Sequence, residues 1–265
     1  MAVIDDLLQD LHAESEALDA LVAPLDAAAW RAPTPAPGWT VAHQIAHLAW
    51  TDEVAALAAR DPDEFTAYLT RALQAAGGAG FVDDVAAEGA RLEPADLLAK
   101  WRSDRADLAA ALAAVPSGQK LPWFGPPMGA ATMATARIME TWAHGQDVYD
   151  ALGATREPTA RLRHIAHLGV RTRDFAFVQR GMPAPGAEFR IELTAPAGEL
   201  WTWGPEDAAQ RVTGPAHDFC LLVAQRRHHD DLAVRADGPD AEAWLAIAQV
   251  FAGPSGSGRE KGQFA

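Results

Sequence analysis

Residues that could hold a metal ion occur twice in this chain at the same spacing. Glu140 and His144 are four residues apart, and so are His43 and His47. On a helix, residues four apart lie on one face, so both members of a pair point the same way. Zinc binds imidazole nitrogen and carboxylate oxygen, and a catalytic zinc keeps an open position beside three protein ligands. The spacing therefore indicates a metal site, although an ordinary hydrogen bond or ion pair fits it too, and it does not decide between His43 and His47.

Other reactive residues indicate no further chemistry. His43 and His47 do not form the H-E-x-x-H signature of metalloproteases, because position 44 is Gln. His164 and His167 are three apart on a predicted helix, where exposure to solvent is the simpler expectation. Cys220, the single cysteine, lies in the apolar run DFCLLV, so we expect a small core residue and no disulfide within the chain. The sequence has no Gly-rich phosphate loop, nucleophile elbow or dinucleotide fingerprint.

Helices must position these side chains. Apolar residues recur at helical spacing from 129 to 152, and Gly153 follows where a left-handed helix end favours glycine. Thr40 is the expected N-cap of the helix that carries His43 and His47. Further helices are predicted over residues 3–25, 94–114 and 159–179, and a shorter one begins at Asp61 and is ended by the Gly77–Gly80 cluster.

The pattern changes after residue 180. The stretch GMPAPG has the composition of a linker, and Phe189, Ile191 and Leu193 then alternate with charged residues at the period of a half-buried strand. Two more short strands, a helix, a fourth strand and a last helix complete a small α+β layer. The predicted fold class is therefore α plus α+β: a helical bundle over 1–180, a small α+β domain over 185–252 and a flexible polar tail over 253–265.

Composition excludes several classes of partner. Formal charge is −14, from 22 Lys and Arg against 36 Asp and Glu, which repels nucleic acid and anionic membranes. The N-terminus lacks the basic and apolar regions of a secretory signal, and no run approaches the roughly 20 apolar residues that a membrane span requires. We expect a cytoplasmic protein that acts on small molecules as a monomer or homodimer.

Two motifs resemble a known family. GWTVAHQIAHLAW and METWAHGQDVYDAL, followed by a small α+β unit, are similar to the mycothiol-dependent maleylpyruvate isomerase family, within the wider DinB-like superfamily of metal-binding four-helix bundles. The stretch WFGPPM…MATARIMETWAHGQDV is especially similar to an uncharacterised actinobacterial subgroup, and the resemblance covers residues 5–252. The zinc-binding histidine of the family's AHL motif falls on His47, and its E-x-x-x-H pair falls on Glu140 and His144. The resemblance therefore implies these three residues as zinc ligands and prefers His47 over His43.

The resemblance also implies a second, sterol-carrier-like domain that contributes an arginine to a cleft. The nearest match is the pair Arg226 and Arg227, although Gln225 stands where the family commonly has a glycine. Trp123, in the loop before the Glu140 helix, is the tryptophan that we expect to line the pocket. We predict that these three residues, Trp123, Arg226 and Arg227, bind the substrate or the thiol.

The resemblance implies a reaction as well. Zinc, or another divalent metal, would lower the pKa of a bound thiol and hold it as the thiolate. The thiol would be a mycothiol-like cosubstrate, because Cys220 matches no ligand position. Its addition to an electrophilic carbon would give cis–trans isomerisation or thiol transfer. The alternative is a non-catalytic metal-containing protein that carries an apolar small molecule, whereas a metal hydrolase would need a general base that the sequence does not name.

Overall fold

The computed structural model describes residues 3–75, 80–254, 256 and 258–264. The chain divides into two compact units, Met1–Arg156 and Glu157–Ala265. The first is helical and the second is a small α+β unit, as the sequence predicts. The division falls earlier than residue 180, where the sequence ended the helical domain, because the helices after residue 160 pack within the second unit.

The first unit is a four-helix bundle with short additions. Its elements are α1 (Val3–Val22), α2 (Ala27–Trp30), α3 (Val41–Arg60), α4 (Pro62–Ala75), α5 (Phe81–Gly89), α6 (Pro94–Ala113), β1 (Lys120–Leu121), β2 (Met128–Gly129) and α7 (Ala130–Leu152). Helix α3 packs against α6 and α7, and α1 packs against the same two helices. Helices α4 and α5 cover α3 from outside, so α3 is buried on most of its faces.

The ends of α3 and α7 follow from local sequence. Thr40 caps α3 as predicted: its backbone N–H donates to His43 Nδ1 at 3.3 Å, and its hydroxyl lies 2.8 Å from the same nitrogen. His43 is therefore a capping residue. Helix α7 ends at Gly153, whose φ of 61° is the left-handed conformation that glycine adopts without steric cost.

A buried ion pair joins α3 to α7 inside the bundle. Arg137 Nε donates to Asp52 Oδ1 at 2.9 Å, and the two side chains are 1% and 3% exposed. Arg137 Nη2 also donates to Thr51 Oγ1 at 2.6 Å, and Trp101 of α6 donates to Asp52 Oδ2 at 3.2 Å. Side chains of α3, α6 and α7 thus form one hydrogen-bonded polar layer inside the bundle.

The structure corrects several predicted boundaries in this unit. The predicted loop that carries Trp123 lies within a two-stranded ribbon, in which Lys120 pairs with Gly129 and Leu121 with Met128. Helix α5 was not predicted. Of the Gly77–Gly80 cluster, residues 77–79 lie outside the described residues, and Gly80 precedes α5 with φ of 87°. No helix of the described chain is long and apolar enough to cross a membrane.

The second unit is a four-stranded sheet with helices packed on it. It contains α8 (Leu162–Arg171), α9 (Arg173–Gln179), β3 (Phe189–Thr194), β4 (Leu200–Trp203), β5 (Gln210–Pro215), α10 (Ala216–Val223), β6 (Arg235–Asp237) and α11 (Pro239–Leu245). The strand order is β4-β3-β5-β6, with β3 and β5 parallel and the other neighbours antiparallel. The predicted single helix over 159–179 is broken at Thr172. The predicted alternation in β3 is confirmed, because Phe189, Ile191 and Leu193 are buried.

Helix α10 ends in a left-handed turn. Gln225 has φ of 57°, its N–H donates to the Leu222 carbonyl at 2.9 Å, and the Arg226 N–H donates to the Leu221 carbonyl at 2.8 Å. This is the Schellman pattern, in which glycine is the favoured residue. Gln225 therefore occupies the conformation that the family's glycine would suit.

The described residues of the C-terminal segment contact the second unit, and the flexibility of residues 253–265 stays a prediction. Lys261 donates to Asp230 at 2.9 Å, and the Gly262 N–H donates to Asp231 Oδ2 at 2.7 Å. The Arg227 guanidinium lies 4.4 Å from the ring centre of Phe264. Charge pairing and a cation–π contact, which a composition argument does not detect, hold this segment on the second unit.

Candidate metal centre

The three side chains singled out from the sequence meet inside the first unit. His47 comes from α3, and Glu140 and His144 come from successive turns of α7. Glu140 Oε2 lies 3.5 Å from His47 Nε2 and 3.3 Å from His144 Nε2, and the three potential ligand atoms all lie within 4.8 Å of one another. The side chains are only 9%, 22% and 15% exposed, in the order His47, Glu140, His144.

This arrangement suits a tetrahedral ion. Ligand bonds of about 2.0–2.1 Å place neighbouring ligand atoms of a tetrahedral zinc roughly 3.3–3.4 Å apart. The two distances to Glu140 Oε2 are close to that value. Two imidazoles and one carboxylate leave a fourth position for water or a ligand, so the donor set fits a catalytic rather than a closed structural metal site.

The charge state of Glu140 also suits a cation. Burial alone would raise the pKa of this carboxyl, but the hydrogen bonds from His144 and His47, together with the charges of His144 and Arg137, lower the pKa well below its usual value. Glu140 is therefore a carboxylate at neutral pH. A divalent cation would bind this carboxylate together with two neutral imidazoles, and would replace the protons that these side chains share in its absence.

A relay of hydrogen bonds sets the tautomer of His144. The Trp39 carbonyl can only accept, so the Thr34 hydroxyl donates to it at 3.0 Å. Thr34 Oγ1 then accepts from Gln44 Nε2 at 2.9 Å, which turns Gln44 Oε1 toward His144 Nδ1 at 2.6 Å. His144 Nδ1 must donate, so a neutral His144 carries its lone pair on Nε2, the nitrogen beside Glu140.

His47 is oriented differently. Its Nδ1 is buried and has no hydrogen-bond partner among the described residues. The ring instead lies between two tryptophans, with centroids 5.4 Å from Trp39 and 5.7 Å from Trp50. Packing rather than hydrogen bonding therefore holds His47 in place.

Trp123, predicted to line the pocket, packs among other aromatic rings of the first unit. Trp123 stacks on Phe65 at 5.8 Å and meets Phe124 edge-on at 5.1 Å, and Phe124 in turn lies 5.7 Å from Trp50. Trp123 is thus separated from His47 by two intervening rings.

The predicted candidates of the second unit are held by local contacts. Arg226 and Arg227 follow the left-handed end of α10, where each donates to a nearby backbone carbonyl at 2.7 Å. His167 accepts a hydrogen bond from Trp203 Nε1 at 3.2 Å.

Three residues beside the candidate metal ligands were missed from the sequence. Gln44, Trp39 and Trp50 contact His144 or His47 directly. Helical spacing could have indicated two of them, because Gln44 and Trp50 lie three residues before and after His47 on α3. Trp39 precedes the helix, and only the folded loop brings its ring back over the site.

Comparisons with known proteins agree with this architecture. A family model described as the mycothiol maleylpyruvate isomerase N-terminal domain matches residues 11–149, and a model described as wyosine base formation matches residues 185–237. Two uncharacterised proteins of Mycobacterium tuberculosis, from strains CDC 1551 / Oshkosh and ATCC 25618 / H37Rv, are each 60% identical over 259 residues, which is 98% of this chain and 100% of each relative.

Solved structures share the fold at low sequence identity. The crystal structure of the mycothiol-dependent maleylpyruvate isomerase matches with a TM-score of 0.59 and 18% identity, and that of a histidine-to-alanine mutant of this enzyme with 0.60 and 17%. Each match covers 89% of this chain and 95% of the other. Because the first family model spans more than half of the chain, and contains all three side chains of the candidate centre, the chain belongs to the mycothiol maleylpyruvate isomerase family.

Proposed function

We propose that this protein is a metal-dependent enzyme that uses a low-molecular-weight, mycothiol-like thiol to attack an electrophilic small molecule. The observation that carries the proposal is the meeting of His47, Glu140 and His144, whose potential ligand atoms lie within 4.8 Å of one another, with both imidazoles 3.3–3.5 Å from Glu140 Oε2. Zinc suits this donor set best, and another divalent metal could use the same ligands. Membership of a family named for mycothiol and maleylpyruvate supports the thiol and the reaction class.

The residues of the site would act by binding and orienting. A bound divalent ion would keep a thiol ionised at neutral pH. Gln44 would hold the His144 lone pair toward such an ion, and Glu140 would supply one negative charge, so a divalent centre would keep a net positive charge for the thiolate. Trp39 packs against both imidazoles and Trp50 packs against His47, so these rings would limit the access of water to them.

The reactive thiol comes from a cosubstrate in this proposal. Cys220 is buried in α10, its Sγ donates to the Leu162 carbonyl at 3.4 Å, and burial raises the pKa of the thiol far above neutral pH. A protonated, enclosed thiol is a poor nucleophile. The protein therefore offers no competing thiolate of its own.

Two reactions are open to the added thiolate. Attack on a cis double bond forms a carbon–sulfur bond and moves the π electrons onto the conjugated group; rotation and expulsion of the thiolate then give the trans isomer and regenerate the thiol. If a proton instead adds to the new carbanion, the product is a thioether and the reaction is a thiol transfer. The family's name favours the isomerase, and consumption of the thiol separates the two outcomes.

We also propose that Trp123, Arg226 and Arg227 bind the substrate or the thiol. The left-handed conformation of Gln225 supports the match of the arginine pair to the family, because it places a glycine-type turn immediately before Arg226. Arginine binds carboxylates through two parallel hydrogen bonds. We place the reaction in the cytoplasm and the protein as a monomer or homodimer.

Metal analysis with ligand variants tests the proposal. The protein is purified without a metal-chelating tag, and bound metals are measured in the wild type and in His47→Ala, Glu140→Ala and His144→Ala. We expect about one divalent ion per chain, lost in each variant while circular dichroism stays native. Thiols are then screened against electrophiles. A metal-free wild type whose variants fold equally well would contradict the enzyme and favour a small-molecule carrier.

A further inference from the structure

We propose that the electrophile of this site presents an apolar, preferably aromatic, group beside its reacting carbon. This inference rests on the proposed thiol-dependent function and names its substrate class. It follows from the rings beside the candidate ligands in the first unit: Trp39 and Trp50 contact the imidazoles, and Phe81 and Phe124 contact Trp50. These rings form an aromatic wall, defined here as Trp39, Trp50, Phe81 and Phe124.

Trp39 forms one side of the wall. Its ring stacks on His144 with centroids 5.8 Å apart and planes 21° apart, and it lies 5.4 Å from His47. Its Nε1 donates to Asp83 Oδ1 at 2.8 Å. The polar edge of the indole is therefore turned toward α5, and the ring stands beside both imidazoles.

Trp50 continues the wall away from His47. Its Nε1 donates to the Tyr68 hydroxyl at 2.8 Å, so this indole also has its polar atom engaged. The ring meets Phe81 at 5.6 Å and Phe124 at 5.7 Å. Phe124 is 37% exposed, so part of its ring remains open to a ligand.

The charges of the first unit do not favour a substrate with an anionic group beside the three candidate ligands. Arg137 is the cation whose charge acts on Glu140, but its guanidinium is buried and donates to Asp52 and Thr51. Residues 1–156 contain ten Lys and Arg against 22 Asp and Glu, a formal charge of −12 out of the −14 of the chain. Within the described part of the first unit, the contacts of the candidate ligands thus include ring faces and no unpaired guanidinium. The arginines proposed to bind the substrate or the thiol, Arg226 and Arg227, are residues of the second unit.

Metal-directed probes with different side groups test this inference. Acetohydroxamate, benzohydroxamate and the monohydroxamate of succinate share one zinc-binding group and differ in the methyl, phenyl or carboxylate-bearing part beside it. Their dissociation constants are measured by calorimetry on the zinc-loaded protein. We expect benzohydroxamate to bind about tenfold more tightly than acetohydroxamate, because one good ring contact is worth about that factor, and the succinate compound to bind no more tightly than acetohydroxamate.

Variants of the wall assign the preference to its rings. Phe124→Ala should reduce the phenyl advantage about threefold or more, and Phe124→Leu should reduce it less, because leucine keeps apolar area but not the ring. Leu92→Ala is the matched control, since Leu92 is similarly exposed, at 43%, and should leave the preference unchanged.

The outcomes separate this inference from the proposed function. Equal binding of all three hydroxamates, or tightest binding of the succinate compound, would overturn the aromatic substrate class while leaving the metal enzyme intact. A phenyl advantage that Phe124→Ala does not change would also overturn it. If the protein binds neither zinc nor any hydroxamate, the proposed function itself fails.

Discussion

At the scale of single residues, the most informative side chain is Gln44. It connects His144 to Thr34 and, through Thr34, to a backbone carbonyl that can only accept hydrogen bonds. Partners of this kind orient metal-bound histidines and typically contribute 10- to 100-fold, by order of magnitude, to metal affinity. Gln44 is fully buried, so solvent cannot replace it.

Gln44→Leu should therefore weaken zinc binding by about 10- to 100-fold with little change in fold. Leucine has a similar volume but accepts no hydrogen bond from His144 Nδ1. The measurement is the zinc dissociation constant from competition with a chelator. Thr34→Val, which breaks the relay one step further from the ligand, should have a smaller effect, and Thr34→Ser, which keeps the hydroxyl, should have almost none. Unchanged affinity in Gln44→Leu would show that the relay does not orient His144.

At the scale of elements, the candidate metal centre depends on the register of α3 against α7. His47 and Glu140 come from different helices, so sliding one helix along the other would separate them. Arg137 and Asp52 oppose such a slide, because their buried contact satisfies both charges at one register only. Buried pairs of this kind are costly to break from one side.

Arg137→Leu should lower the free energy of unfolding by about 3–5 kcal/mol, because it leaves the Asp52 carboxylate buried without its partner. The double variant Arg137→Leu, Asp52→Leu should recover much of that loss, since no unpaired charge remains. Urea unfolding followed by circular dichroism measures both, and zinc affinity measured on the double variant reports the register. If the double variant were no more stable than Arg137→Leu, the unpaired Asp52 carboxylate would not be the cause of the lost stability.

At the scale of the whole molecule, pairs between helices make stability depend on pH. The hydrogen bonds from Arg102 lower the pKa of Asp19 against the opposing effect of its burial, and Arg105 lowers it further. Arg102 donates to both carboxylate oxygens, at 2.8 and 2.7 Å, and so ties α6 to α1. A carboxyl whose pKa is lowered by folding stabilises the protein above its unfolded pKa, near 4, and this stabilisation is lost as pH falls through the folded pKa.

Asp19→Asn should therefore lower the free energy of unfolding by about 1–3 kcal/mol at pH 7, and the difference from the wild type should shrink steadily below about pH 4. Denaturant unfolding at a series of pH values measures it. Glu16→Gln is the control, because Glu16 pairs with Arg105 at 2.6 Å from an exposed position and should matter less. A difference that stays constant down to pH 2 would exclude Asp19 as the titrating group.

The sequence by itself determined what is encoded over a few residues. The cap at Thr40, the end of α7 at Gly153, the spacing of Glu140 and His144 and the alternation in β3 all depend on neighbours within about one helical turn or strand. The family motifs added the choice of His47, because they connect segments that periodicity treats separately.

Only the tertiary structure decided which side chains surround the ligands. Gln44 meets His144 across a separation of 100 residues, and no local pattern encodes that contact. The same is true of Trp39, whose ring returns over the site through the fold of its loop, and of residues 162–179, which pack with the second unit although their helical period suits a bundle. The helical or strand period of a sequence predicts which face of an element is apolar. Which neighbour covers this face depends on the packing of the whole chain.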